Sequence, residues 1–219
     1  GSAIIIKAVA GGGGRGMRVV NSPKDLKDSI KRASSEAQKA FGSSDLYCEE
    51  YLKNCHHVEI QIIGDGTGSV SHLWDRECTV QRRFQKILEE APSPSLSSKF
   101  REELIEAALN IALAVNYKGL GTIEFLVDQD GKTFRFIEAN ARLQVEHTVT
   151  EEILGLDLVK AQIQIASGKS LKQINLDQAN IPEPRGFAIQ TRVNMEVMDS
   201  EGNIKPSGGT FIHFDLPSG

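Results

Sequence analysis

Ile4-Ile5-Ile6-Lys7-Ala8 and, three residues on, Gly11-Gly12-Gly13-Gly14-Arg15-Gly16-Met17-Arg18-Val19-Val20 form the stretch whose reading decides the fold. Five glycines in six positions are costly in backbone entropy, and they make sense where N–H groups must approach a ligand closely. The run nominally fits G-x-G-x-x-G, but a dinucleotide fold needs a helix next, and residues 17–20 read as a strand. It is not a Walker A loop either, because Met17 follows Gly16 where Lys-Ser/Thr would stand. What remains is a glycine hairpin able to fold over a polyphosphate, with Gly12, Gly13 and Gly14 exposing N–H groups and Lys7, Arg15 and Arg18 as cationic partners. Such a lid is expected to move, and an ordinary flexible hairpin tip is the plain alternative.

Working outward, Ser22-Pro23-Lys24-Asp25 supplies an N-cap, a proline at the first helical position and an acid at N3. Leu26, Ile30, Ala33, Ala37 and Phe41 then mark one helical stripe that Gly42 closes. With a strand over 46–52, residues 3–52 form a small β-β-α-β unit. Val58, Ile60 and Ile62 alternate with His57, Glu59 and Gln61, which predicts a half-buried strand turning at Gly64-Asp65-Gly66 into a second strand around 70–74. A helix is expected over 97–115, with Phe100, Leu104, Ala108, Ile111 and Val115 inward. Residues 121–127 and 133–139 read as a hairpin around Asp130-Gly131. Thr150 and Asp157 are expected N-caps of two helical pieces ending near Gly168, 179–185 reads as a loop, and 187–193 and 210–214 as late strands. Strands and helices mix without regular βαβ alternation, so the class is α+β.

Length and composition suit a soluble globular protein: 219 residues, 40% hydrophobic and 25% charged. The net charge of −4 carries no nucleic-acid footprint. No apolar stretch approaches membrane-spanning length, so neither nucleic acid nor membrane is an expected partner. Three cysteines without a C-x-x-C argue against a disulfide framework or structural zinc, and simple burial is the expectation for each. With no signal-peptide pattern at the start, the expected location is the cytoplasm, or an organelle matrix if the source is eukaryotic. The abrupt opening on a strand reads as an excised piece of something longer.

Chemistry concentrates in three places. In the hairpin, a three-residue turn at 129–131 would set Glu124 diagonally across from Glu138 on one face, with Asn140 further along it. Two carboxylates so placed repel unless protonated or bridged, and magnesium on nucleotide phosphates is the fitting bridge. The exit Asn140-Ala141-Arg142-Leu143-Gln144-Val145-Glu146-His147 is dense in charged and amide groups: a guanidinium can hold a small carboxylate-like anion, and Glu146 can accept its proton. His147 competes for that role, although a lone histidine beside a helix start is more often structural. Gln81-Arg82-Arg83-Phe84-Gln85-Lys86 is a basic cluster followed by Glu89 and Glu90. An exposed ion-paired face is its plain reading, and Lys86 as an anion ligand its functional one.

Taken together, these residues resemble the biotin carboxylase component of biotin-dependent carboxylases, a branch of the ATP-grasp family. The resemblance rests on residues 4–8 with 11–18, Glu50-Tyr51-Leu52, His57-Val58-Glu59-Ile60-Gln61, Gln81-Arg82-Arg83 with Gln85-Lys86, Gly121-Thr122-Ile123-Glu124-Phe125-Leu126, Phe136-Ile137-Glu138 and residues 140–146. It implies an ATP-grasp fold: a small glycine-loop lid in 1–52, and a larger mixed or antiparallel sheet subdomain with helices in 53–219. It implies ATP-dependent carboxylation of biotin by bicarbonate through carboxyphosphate, with Mg2+ or Mn2+ and with biotin borne on a carrier domain. Lys7 and Gly12, Gly13 and Gly14 would hold ATP phosphates, Glu49 and Leu52 line the adenine pocket, and His57 and Gln81 reach the ribose. Glu124, Glu138 and Asn140 would hold the metals. Lys86, Arg142, Gln144 and the Val145 backbone would bind bicarbonate, Glu146 would deprotonate it, and Arg192 would stabilise the biotin enolate. The implied partners are bicarbonate, a biotinyl carrier domain and a carboxyltransferase domain or subunit, in an oligomeric parent.

Phe84 departs from the family pattern, since many members carry a histidine there. The family also has a whole N-terminal domain ahead of the lid and further structure beyond Gly219, so this chain is expected to fold yet to be inactive alone. The alternatives are another ATP-grasp ligase, carbamoyl-phosphate synthetase-like or purine-carboxylating, or a nucleotide-binding module without turnover. The run 142–146 together with Arg192 favours biotin.

Overall fold

The computed structural model describes residues 3–11, 16–82, 84–201 and 203–215. The opening segment builds the expected β-β-α-β unit. Strand β1 (Ile4–Ala8) lies between β2 (Met17–Val20) and β3 (Leu46–Glu50), antiparallel to both, and helix α1 (Leu26–Phe41) packs against them. Ser22 caps a 3-10 turn at Pro23–Asp25 from which α1 continues, and Gly42 ends the helix at φ 74°, a left-handed conformation that glycine adopts without strain. Ile6, Val20 and Ala33 form the small core. The row Ser29, Ala33, Ala37 faces inward at four-residue spacing, which turns Ile30 outward against expectation.

The rest is organised on a six-stranded antiparallel sheet of order β8-β7-β4-β5-β6-β9. Its strands are β4 (Cys55–Asp65), β5 (Val70–Arg82), β6 (Gln85–Ala91), β7 (Lys118–Asp128), β8 (Phe134–Asn140) and β9 (Ala188–Thr191). Helix α2 (Ser98–Ala114) covers one face, while α3 (His147–Leu154) and α4 (Leu158–Ala166) cover the other. Two short strands, β10 (Glu196–Met198) and β11 (Ile204–Pro206), pair with each other. The α+β reading stands.

The α2 face is an apolar core. Val58, Ile60, Ile62, Ile123, Phe125 and Val127 meet Phe100, Leu104, Ala108 and Ala112, each such aliphatic side chain contributing about 1.5–3 kcal/mol by burial. Ser97 caps α2, accepting from the Phe100 N–H, but the inward row continues to Ala112, leaving Val115 exposed. Tyr117 wedges beneath the sheet so closely that a Cβ on Gly121 would lie 2.3 Å from its hydroxyl and one on Gly64 2.2 Å from its carbonyl oxygen, which explains both glycines. On the opposite face Ile63, Leu73 and Leu120 pack on Val149, Ile153, Leu154, Leu158, Ala161 and Ile165.

Several expectations are corrected. Strand β4 is not half-buried: Glu59 and Gln61 are as fully buried as Val58 and Ile60, because α3 roofs the polar side. Strand β5 runs past the expected 70–74 to Arg82 and is followed by β6, so Gln81, Arg82, Gln85 and Lys86 sit on a hairpin. Thr150 lies inside α3, which begins at His147 with Glu146 in the cap position and no side-chain cap bond. Asp157 does cap α4, accepting from the Lys160 N–H at 2.7 Å. Residues 210–214 form no strand; Phe211 and Phe214 meet only as a ring pair at 5.6 Å, and the backbone pairing goes to β10 and β11. All three cysteines are free, but only Cys78 is buried; Cys48 is exposed and Cys55 half-buried.

Candidate active site

The site grows from a defect in the β7–β8 hairpin. Val127 faces Phe134 and Phe125 faces Phe136, a register that would carry Ile137 opposite Glu124. A bulge absorbs Ile137, so that Glu124 stands directly opposite Glu138 and Thr122 opposite Asn140. The expected diagonal is therefore corrected to a direct pair, and the turn is longer than three residues because β7 ends at Asp128 and β8 starts at Phe134. The Asn140 amide donates to Glu124 at 2.7 Å and to Glu138 at 3.0 Å, placing a positively polarised group between two like charges. The carboxylate oxygens, with Glu124 buried and Glu138 exposed, fit a hard divalent cation approaching from solvent. His57, Glu59 and Glu124 also bring ligand atoms within 4.8 Å of one another, but Lys86 pairs with both glutamates there and supplies the cation.

Lys86, two residues into β6, reaches across the sheet face to three carboxylates from three elements. Its Nζ pairs with Glu59 on β4, with Glu124 on β7 at 3.3 Å and with Glu146 ahead of α3 at 2.6 Å. His57 donates from Nε2 to Glu124 at 2.6 Å and accepts at Nδ1 from Gln81 at 2.7 Å. Burial alone would push the Glu124 carboxyl up; the His57 hydrogen bond and the Lys86 charge override it and hold it at about 2. In Glu146 burial likewise pushes up, and Lys86, aided by Arg76, holds the carboxyl below the usual range. Both are ionised at neutral pH.

The exit loop is fastened to this face by Arg76, whose guanidinium is fully buried. Its Nε and Nη2 bond Glu59 at 3.2 and 3.0 Å, Nη2 also reaches Thr122 at 3.1 Å and Gln144 at 3.3 Å, and Nη1 reaches Gln61 at 2.6 Å and Thr150 at 3.1 Å. Gln144 in turn donates to Glu124 at 2.9 Å. Thr150, set aside as a cap in the sequence, thus belongs to the support of the site. Arg192, just past β9, closes the far side: it bonds Glu146 at 2.9 Å and Glu89 at 2.6 Å.

The structure therefore brings Lys86, Glu146, Arg192, Gln144, Glu124, His57 and Gln81 into one connected network, with Glu138 and Asn140 at its rim. Arg142 stays outside: it is exposed and bonds only the Leu143 carbonyl among the described residues. Val145 is exposed as well. Lys7 and Glu49 sit in the three-stranded sheet β2-β1-β3 and pair with each other, so the two expected nucleotide ligands neutralise one another here; Leu52 is half-buried beyond β3. Gly12, Gly13 and Gly14 lie outside the described residues. His147 turns away from the site, its Nδ1 2.7 Å from the Gln144 carbonyl and its Nε2 3.5 Å from Glu151, the structural role expected of it. Phe84 occupies the hairpin turn at φ 63° with its ring exposed.

Sequence reading missed Arg76, Glu59 and Glu89. The signal for the first two was present: Glu59 and Arg76 are direct cross-strand partners, and an uninterrupted β5 reaching Arg82 would have exposed the pair.

The sequence pattern of the carbamoyl-phosphate synthase L chain, ATP-binding domain, matches residues 1–174. The chain belongs to that family. Among its relatives, pyruvate carboxylase of Aspergillus terreus is 50% identical over 206 residues, 94% of this chain and 17% of that protein. Biotin carboxylase 1 of Bacillus subtilis (strain 168) is 46% identical over 220 residues, 97% of this chain and 48% of that protein. The biotin carboxylase domain of Hydrogenobacter thermophilus 2-oxoglutarate carboxylase, crystallised with MgADP, ADP and bicarbonate, superposes with a TM-score of 0.90 at 42% identity, covering 100% of this chain and 47% of that one. This ATP-binding domain has the ATP-grasp fold of biotin carboxylases, as the resemblance implied, and it spans less than a fifth of the first relative and about half of the other two.

Proposed function

We propose that this domain is the nucleotide- and bicarbonate-handling part of a biotin carboxylase within a larger biotin-dependent carboxylase. The reading is supported above all by the run Lys86–Glu146–Arg192, a proton acceptor held between two cations, lying beside Glu124, Glu138 and Asn140. The relatives named for biotin carboxylation and the solved neighbour holding MgADP and bicarbonate carry the same direction.

Each residue then has a chemical task. A divalent magnesium or manganese ion held by Glu124, Glu138 and Asn140 supplies charge neutralisation for the ATP phosphates. Lys7 leaves Glu49 to meet those phosphates as the lid, 1–52, closes on the body, 53–219. Glu49 and Leu52 border the adenine, and His57 and Gln81 the ribose. Lys86, Arg142, Gln144 and the Val145 backbone hold bicarbonate. While Lys86 and Arg192 are spent on Glu146, that carboxylate is a weak base; an anion that draws off their charge raises its basicity at the moment of use. Glu146 takes the bicarbonate proton, a bicarbonate oxygen bonds the γ-phosphorus and ADP departs. The resulting carboxyphosphate breaks into CO2 and inorganic phosphate; the phosphate takes the N1 proton of biotin, and N1 of the enolate so formed, which Arg192 stabilises, bonds the CO2 carbon. The biotinyl carrier, the carboxyltransferase and an oligomeric assembly belong to the same proposal.

Glu146→Gln in the complete carboxylase tests it. Losing a positioned base costs on the order of a hundredfold in rate, so bicarbonate- and biotin-dependent ADP release is expected to fall by about that factor while ATP affinity holds within about twofold. A loss of ATP binding as large as the loss of rate overturns the assignment.

A further inference from the structure

Glu89 is buried with no exposed surface, on β6 three residues after Lys86. One of its oxygens takes both contacts from Arg192, Nε and a terminal nitrogen each at 2.6 Å; the other has no hydrogen-bond partner among the described residues. Burial pushes its carboxyl up, with Arg192 opposing. A buried carboxylate with one cation and an orphan oxygen is poor structural material, since a well-packed apolar residue of similar volume would serve stability as well or better. The sheet explains what it does hold. Strand β9 is an edge strand, Arg192 extends its pairing by one bond to the Ile87 carbonyl at 2.8 Å, and the Arg192 side chain is 28% exposed. A long cation on such an edge is free to swing into water unless an anion beneath it fixes its aim.

We infer that Glu89 is a positioning residue for the reaction: it anchors Arg192 at the site and draws part of the guanidinium away from Glu146. Lys86, Glu146, Arg192 and Glu89 thereby alternate in sign, and the two glutamates compete for one guanidinium. Without Glu89, Arg192 either leaves the site or collapses wholly onto Glu146, and in both cases the charge meant for the biotin enolate is lost. This inference rests on the biotin carboxylase reading above.

The test is Glu89→Gln in the complete carboxylase, alone and combined with Arg192→Ala, with free biotin as substrate and Glu90→Gln as neighbouring control. The glutamine keeps shape and removes charge. Expected is a fall of about tenfold or more in kcat for biotin-dependent ADP release, with the KM for ATP moving less than about twofold. On the Arg192→Ala background the same change is expected to cost less than about twofold, because residues acting as one unit are not additive. Glu90→Gln should behave as the parent. An equal cost on both backgrounds, or no cost on either, overturns the inference. If Glu89→Gln fails to fold, Glu89→Asp carries the same double-variant comparison. A parent enzyme without biotin- and bicarbonate-dependent turnover would instead sink the functional reading, which separates the two failures.

Discussion

Strand β4 has two faces that are equally buried and chemically opposite. Val58, Ile60 and Ile62 lie against α2 in an ordinary apolar core, while Glu59 and Gln61, also without exposed surface, lie under α3 among Arg76, Lys86, Thr122 and Glu124. The apolar face is held by many interchangeable contacts. The charged face is held by a few directional ones, each of which leaves a buried charge unpaired if it is lost. The first tolerates substitution in proportion to volume; the second fails at single atoms, and it is the face that carries the candidate site.

The sharpest way to break this comparison is one large substitution on each side. Arg76→Met removes one of the two cations paired with Glu59, leaving Lys86 alone, and the tether of Gln144; taking one partner from a buried pair costs about 3–5 kcal/mol. Leu104→Ala on α2 costs about 2–5 kcal/mol by lost transfer and cavity. Urea unfolding of the chain reads both. Turnover of the complete carboxylase per folded molecule separates them: it is expected to drop with Arg76→Met and to hold with Leu104→Ala. If both lower it alike, the two faces do not differ in function.

Legibility in the sequence divides along the same line. Hydrophobic periodicity located the α2 face because Phe100, Leu104 and Ala108 repeat with a helix and Val58, Ile60 and Ile62 with a strand. It misjudged the other face, since alternation reads Glu59 and Gln61 as solvated when α3, far along the chain, is what covers them. Glu89 failed for the same reason: next to Glu90 in a basic neighbourhood it reads as a surface ion pair, yet β9 closes over it. The residues proposed to meet ligands were readable because charge and amide groups crowd into 140–146 and 81–86. Residues that aim them, Arg76 above all, were not, because their partners come from four other segments. The bulge at Ile137 has no local signature at all; the sequence carries Glu124 and Glu138 but not the shift that sets them face to face.

A smaller effect sharpens the electrostatic side. The Glu124 carboxyl is held at about 2 against an ordinary 4.5. A depressed carboxyl contributes stability that is present above the ordinary value and lost as the pH falls through the folded value, so this share should vanish between about pH 4.5 and 2. Other depressed carboxyls, Glu146 and Glu77 among them, lose stability in acid as well, so the informative quantity is the difference between parent and Glu124→Gln. The parent's advantage is expected to shrink from pH 5 to pH 3 in urea titrations. A constant gap across that range would show that the charge of Glu124 is not what Lys86 and His57 stabilise.

The finest comparison matches two changes of about one methyl or hydroxyl group. Thr150→Val keeps volume on the charged face but removes the oxygen that accepts from Arg76 at 3.1 Å, leaving a buried guanidinium N–H without that partner, at a cost of about 1–3 kcal/mol. Ile62→Val removes a methylene from the apolar face, at about 0.5–1.5 kcal/mol. Volume alone ranks the isoleucine change as the more damaging; hydrogen-bond satisfaction ranks the threonine change so. The two also differ in reach. Arg76 holds Gln144 with the guanidinium whose other end Thr150 fixes, so Thr150→Val should raise the KM for bicarbonate in the complete carboxylase while Ile62→Val leaves it in place. Urea midpoints at constant slope give the stabilities, and initial rates against bicarbonate give the second readout. A threonine variant no less stable than the isoleucine variant, with an unmoved KM, would mean that the charged face is sustained by its ion pairs alone and that the hydroxyl under Arg76 contributes nothing to holding the loop.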